Sequence, residues 1–195
     1  MAVFCLLLLL LLFCILSPVF FYLVVFNMSL AYIGIGSNLG DKSRNCDQAL
    51  DLLGRIPGCR LADRSQWFLT RPVGVNNQDW YLNGVACLET EMGGHGILTH
   101  LLAIESAMGR VRNEKWGPRI MDLDLLLLGR EIINRSDLQV PHPLMHTRRF
   151  VLVPMVQIAP ARIHPVLGRT MQDLLEGLAE DGQEVMALEA VGVDK

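Results

Sequence analysis

The stretch Arg119-Ile120-Met121-Asp122-Leu123-Asp124-Leu125-Leu126-Leu127-Leu128 constrains the fold more than any other part of the chain. Alternate residues of a strand project to opposite faces, so Asp122 and Asp124 share one face while Met121, Leu123 and Leu125 enter a core. A sheet must surround this strand, and something must answer two like charges on its second face. Two carboxylates at that spacing repel, and in an apolar strand the arrangement is costly unless cations neutralise it. A pair of Mg²⁺ ions about 3.5 to 4 Å apart would do so. The alternatives are two solvent-facing aspartates on a one-sided sheet, or acids paired with nearby arginines. Asp-x-Asp alone does not choose among the three.

The neighbouring sequence supplies the rest of such a sheet. Leu30 to Gly36 alternates large and small residues and stops at a glycine-rich turn, as a buried first strand would. A helix follows, capped by Asp41 or Ser43, with Cys46, Ala49, Leu50 and Leu53 on one stripe and an end near Gly54 and Pro57. Residues 60–69 and 80–91 read as strands joined by a loop, 70–79, too long for a tight hairpin. A second helix runs from about Gly96 to Met108, with Ile97, Leu101, Ile104 and Met108 inward. The order strand, helix, strand, strand, helix, strand predicts an α+β fold with a ferredoxin-like βαββαβ core: a mostly antiparallel sheet with helices packed on one face. A Pro-rich segment, Pro141-His142-Pro143, and a last helix near Met171 to Leu178 complete the reading.

Before that core lies an uncharged apolar run from Val3 to Phe26, broken only by Ser17 and Pro18. It is long enough to span a bilayer, which takes roughly 20 apolar residues. No Lys or Arg precedes it, no small-x-small cleavage site follows, and the first positive charge is Lys42, so neither a signal peptide nor an orthodox anchor fits well. Met28-Ser29 reads as an ordinary start. Residues 1–27 are therefore taken as an appendage or mis-assigned start, with a membrane anchor as the alternative, and residues 28–195 as one domain. The five cysteines are scattered without a CxxC pair, which suits a reducing, cytoplasmic setting and argues against a zinc site or disulfide framework.

A net charge of −3 offers no general basic surface for nucleic acid. Against that background the cluster Arg110, Arg112, Lys115 and Arg119, preceded by Glu105 and interleaved with Trp116-Gly117-Pro118, stands out. Four cations leading into two carboxylates is what phosphoryl transfer needs, since metal ions bridge phosphates while Arg or Lys takes up charge on their oxygens. A solvated charged loop is the plainer alternative. The glycines of Gly34-Ile35-Gly36-Ser37-Asn38-Leu39-Gly40 match neither a dinucleotide fingerprint nor a P-loop, and a tight strand-to-helix turn is the expected role. Tyr81 and Asn83, two apart in a strand, set an aromatic face beside an amide, where a flat heteroaromatic could stack and be read at its edge. Core packing and a turn-side amide are the ordinary roles for such residues.

Gly36-Ser37-Asn38-Leu39-Gly40, Tyr81-Leu82-Asn83, Gly109-Arg110-Val111-Arg112, Trp116-Gly117-Pro118-Arg119 with Met121-Asp122-Leu123-Asp124, and Val140-Pro141-His142-Pro143 together resemble, in that order, the 6-hydroxymethyl-7,8-dihydropterin pyrophosphokinases of folate biosynthesis. The resemblance covers about residues 29 to 180. It implies transfer of pyrophosphate from ATP to the pterin's hydroxymethyl group, giving AMP, by a monomer acting on small molecules. It implies that Asp122 and Asp124 hold two Mg²⁺ ions on ATP, and that Arg110 and Arg119 steady the transferring phosphates. Tyr81 and Phe150 would sandwich the pterin, with Asn83 and the backbone around Thr70 and Val73 at its edge. Glu105, Arg112, Lys115, Trp116, His142 and Arg148 would contact the nucleotide. Two departures bear on this: Lys115 stands where the best-known members have an arginine, in a loop one residue shorter, and Pro143 replaces an aromatic seen in some members. A ferredoxin-like nucleic-acid module, the other occupant of this element order, would carry aromatics where this chain has Asp122 and Asp124.

Overall fold

The alternating segments assemble into a six-stranded antiparallel sheet in the computed structural model, which describes residues 28–72, 79–110, 119–179 and 182–188. Strand β1 is Ser29–Ser37, helix α1 Lys42–Leu53, β2 Cys59–Arg64, β3 Phe68–Thr70, β4 Tyr81–Thr90, α2 Gly94–Ala107 and β5 Asp122–Leu128. A two-residue pair follows, β6 Ile133–Asn134 with β7 Gln139–Val140, then α3 Arg149–Ile158, α4 Met171–Glu176 and β8 Val185–Ala187. The strand order is β5-β1-β4-β3-β8, with β2 also paired to β4. This is the βαββαβ core expected from the sequence.

Local chemistry explains the elements. Asp41 caps α1, its Oδ1 accepting from the Arg44 backbone N–H at 3.0 Å. The segment read as one strand, 60–69, is two: β2 and β3 both lie along β4, separated by Ser65-Gln66-Trp67. The interruption is held in place, because Ser65 Oγ accepts from the Val85 N–H at 2.9 Å and the Trp67 indole lies over Gly84. A Cβ at position 84 would fall 2.6 Å from that ring. The Trp67 N–H donates to Asp47 Oδ1 at 2.9 Å, tying the break to α1.

Helices α1 and α2 cover one face of the sheet. Cys46, Ala49 and Leu53 with Ile97, Leu101 and Ile104 bury Ala31, Ile33, Ile35, Leu123 and Leu125. The expectation of helices on one face alone is corrected by a second core on the other. There Val151, Leu152 and Met155 of α3 and Met171 and Leu174 of α4 pack on Tyr32, Val85, Cys87, Leu126 and Leu127. This second layer stops short of the ends of β1, β4 and β5 nearest Gly36, Tyr81 and Asp122. The uncovered part of the sheet is where the polar residues gather.

Candidate active site

Three adjacent strands build the floor of the site. In register, Asn83 of β4 pairs with Gly36 of β1, which pairs on its other side with Asp122 of β5. The next row in is Val85, Gly34 and Asp124. Each row thus has a side chain on either flank and a hydrogen atom in the middle. Neighbouring strands lie about 4.8 Å apart, so the backbones of Asn83 and Asp122 stand about 10 Å apart across Gly36. The result is a cavity of about 370 Å³. Tyr81 and Asn83 stand on one side, Asp122, Asp124 and Arg119 on the other, and Arg148 and Phe150 at the start of α3 roof it.

Of the residues expected from the sequence, Thr70, Tyr81, Asn83, Arg119, Asp122, Asp124, Arg148 and Phe150 line this one cavity. Thr70 and Asn83 are buried, and the Asn83 amide donates to Thr70 Oγ1 at 2.6 Å. Burial pushes the Tyr81 phenol up, so it stays protonated. The Arg148 guanidinium lies over the Phe150 ring at 5.4 Å from its centroid.

Glu105 does not line the cavity. It is 2% exposed at the end of α2, where it accepts from the Leu123 N–H at 2.8 Å and from Arg110. Arg110 reaches onward to Asp122 Oδ1 at 2.8 Å, and Arg119 donates to Asp122 Oδ2 at 2.7 Å. Asp122 is therefore clasped from both sides by the two cations expected to steady phosphates. Burial leads the upward shift of the Glu105 carboxyl, which its hydrogen bonds and Arg110 oppose.

Asp124 differs. Among the described residues no guanidinium reaches it at bonding distance, and burial, then the Asp122 charge, push its carboxyl up to about 7. Desolvation is the larger cause and the Asp122 charge the second, and Arg148 and Arg119 only partly oppose them. Two adjacent carboxylates in that condition fit hard divalent cations such as Mg²⁺, with phosphate and water oxygens completing coordination. Among the described residues there is no cluster of three or more metal-ligating side chains.

His142 follows the cis Val140–Pro141 bond and is fixed by its N–H to Leu126 O at 2.9 Å. Burial foremost, then Arg148, push its imidazole down to about 4, so it is neutral and its Nδ1 accepts from the Leu144 N–H at 3.2 Å. Val73, Arg112, Lys115 and Trp116 lie outside the described residues, as does the apolar run 1–27.

Several residues of the site escape the sequence reading. Gly34 and Gly36 sit inside β1 on the cavity floor rather than in a turn; only Gly40, at φ +67°, takes a turn conformation. Asn38 is buried and clasps Arg119, its Oδ1 accepting from the Arg119 N–H at 2.7 Å while its own N–H donates to Arg119 O at 3.1 Å. Gln183 lines the cavity from the C-terminal segment and caps α3, accepting from the Arg149 N–H at 2.9 Å. The GSN motif was the available signal for Asn38. Gln183 has none, because its role depends on a strand of three residues.

The family model described as 7,8-dihydro-6-hydroxymethylpterin-pyrophosphokinase matches residues 32–160. A 2-amino-4-hydroxy-6-hydroxymethyldihydropteridine pyrophosphokinase of Methylorubrum extorquens is 40% identical over 157 residues, spanning 80% of this chain and 98% of that protein. Its namesake from Pseudomonas aeruginosa is 39% identical over 153 residues, 78% of this chain and 94% of the relative. Among solved structures, Plasmodium falciparum HPPK-DHPS, wild type with pteroate, shares the fold with a TM-score of 0.62 at 13% identity. That match covers 76% of this chain but 44% of the solved one, so the chain spans less than half of that structure.

Proposed function

The chain belongs to the 7,8-dihydro-6-hydroxymethylpterin-pyrophosphokinase family, and from that premise we propose that its cavity holds ATP and the pterin side by side for direct pyrophosphate transfer. The protein is an ATP-dependent diphosphotransferase of folate biosynthesis. The observation that carries the residue assignment is the pair of rows across β1, which sets an aromatic and amide side and a dicarboxylate side within one cavity.

On this reading Tyr81 and Phe150 stack on the pterin and Asn83, held by Thr70, reads its edge. The pterin's hydroxymethyl arm then extends across Gly36 toward Asp122. Asp122 and Asp124 would hold two Mg²⁺ ions, which when bound would neutralise phosphate charge and the charge developing on the leaving oxygen. Arg119, fixed by Asn38, and Arg110, fixed by Glu105, bring positive charge to the transferring phosphates, and Arg148 adds a third cation from α3. The hydroxyl oxygen forms its bond to the β-phosphorus as the bond to the α–β bridging oxygen breaks; AMP leaves with that oxygen, and the hydroxyl proton is released to water. Arg112, Lys115, Trp116 and His142 belong to the nucleotide side, and the backbone at Val73 to the pterin side, by family resemblance. We assign the activity to residues 28–195, acting as a monomer in the cytoplasm, which gel filtration and cell fractionation would check. Among the described residues no helix is long and apolar enough to cross a membrane.

The assignment is tested at Asp122 and Asp124. Either residue changed to Ala should lower turnover by several powers of ten, as expected when transition-state charge stabilisation worth several kcal/mol is removed. The double variant should be little worse than either single one if the pair acts as a unit. Turnover near wild type for Asp122→Ala at millimolar Mg²⁺ would leave the pair as mere structural partners of Arg110 and Arg119.

A further inference from the structure

Gly36 is the middle residue of the row that joins the two halves of the cavity. A Cβ built at this position would lie 2.6 Å from Asn83 Oδ1, closer than real Cβ contacts come. The obstacle is not a loose chain end. Asn83 is 8% exposed and its amide is anchored to Thr70 Oγ1 at 2.6 Å, so the amide cannot stay on Thr70 and also clear a methyl group at position 36. Gly34, two residues earlier on the same face, differs: the nearest atoms to a Cβ there are Leu126 methyl and methine carbons at 3.5 Å or more, an ordinary contact. Neither glycine has positive φ, so backbone conformation does not explain Gly36. The requirement is for the space beside one amide.

We infer that Gly36 is a positioning residue for acceptor recognition, its missing side chain allowing Asn83 to stand on Thr70 and present its amide to the heteroaromatic ring. The inference rests on the reading above that Asn83 recognises the pterin edge. Changing Gly36 turns or displaces that amide. Loss then falls on the acceptor and spares the nucleotide, because Asp122, on the other side of the row, is held independently by Arg110 and Arg119.

Steady-state kinetics and thermal melting of the full chain test this, with Gly36→Ala, Asn83→Ala, the double variant and Thr70→Val. Gly36→Ala should raise the KM for 6-hydroxymethyl-7,8-dihydropterin about tenfold or more, with the KM for ATP within about twofold of wild type. In the Asn83→Ala background the same change should add less than about twofold, since the group it displaces is gone. The double variant should melt no lower than Gly36→Ala, as the new methyl then has room. Thr70→Val removes the anchor without crowding and should raise the pterin KM in the same way. If Gly36→Ala does not fold, an unchanged pterin KM in Thr70→Val overturns the inference. So does a Gly36→Ala with normal pterin KM, or one as damaging in the Asn83→Ala background as alone. Where Asn83→Ala itself leaves the pterin KM unchanged, the reading of the acceptor site fails and the inference with it; where Asn83→Ala is impaired and Gly36→Ala is not, only the inference fails.

Discussion

Asp122 and Asp124 sit two residues apart on one strand yet carry different electrostatic loads, because Arg110 and Arg119 both bond Asp122 and neither bonds Asp124. Asp124, which has no bonded guanidinium among the described residues, stands one row further into the cavity floor, and burial is the main reason its carboxyl resists ionisation. On the opposite flank Tyr81 contributes an aromatic face, and stacking is worth about 0.5 to 1.5 kcal/mol beyond burial. Tyr81→Ala should therefore weaken pterin affinity about tenfold or more and leave ATP affinity nearly unchanged. Equal losses for both ligands in calorimetric titrations would contradict the assignment. The period of two makes Tyr81, Asn83, Asp122 and Asp124 legible from sequence as same-face pairs. Gly34 and Gly36 were not legible in this way. Their function depends on which strands flank β1, a non-local fact that a local glycine pattern does not carry. Glu105 illustrates the same limit: its distance along the chain from Arg110 suggests a shared charge cluster, but burial behind Leu123 is a property of how α2 packs.

At the scale of elements, α3 links stability to recognition. It presents Phe150 at its start, directly after Arg148, and buries Val151, Leu152 and Met155 on the second core. Leu152 is fully buried, and Leu152→Ala should cost about 2 to 5 kcal/mol in chemical denaturation while raising the pterin KM, because the helix that carries Phe150 loses its seat. A loss below about 0.5 kcal/mol would mean that this core does not hold the helix. The helix itself is not evident from sequence. Pro154 stands in its interior, removes the N–H that would bond the Phe150 carbonyl, and reads locally as a breaker. Tertiary packing against Tyr32, Val85 and Leu126 overrides that signal. By contrast, α1 announces itself through its Asp41 cap and its stripe of Cys46, Ala49 and Leu53, so cap and periodicity agree with the final packing.

For the whole molecule, the two cores bury groups that resist ionisation. Burial pushes the Cys46 thiol up to about 12, the Cys87 thiol to about 11 and the Tyr32 phenol to about 12. In the unfolded chain a thiol titrates near about 8.5 and a phenol near about 10. Above those values the unfolded state binds fewer protons than the native one, so this stability is fully present below about pH 8 and is lost as pH rises toward 12. These three groups leave the denaturation midpoint unchanged through neutrality, where Asp124 and His142 titrate instead, and should lower it steadily above about pH 9; a midpoint unchanged between about pH 9 and 10.5 would show that the thiols and the phenol titrate alike in both states. The βαββαβ core and its cavity are the platform on which the chemistry rests, and product analysis tests that chemistry most directly. The full chain and a chain beginning at Met28 should each convert ATP and 6-hydroxymethyl-7,8-dihydropterin, in the presence of Mg²⁺, to AMP and pterin diphosphate in equal amounts. Formation of ADP, or nucleotide turnover indifferent to the pterin, would contradict direct pyrophosphate transfer.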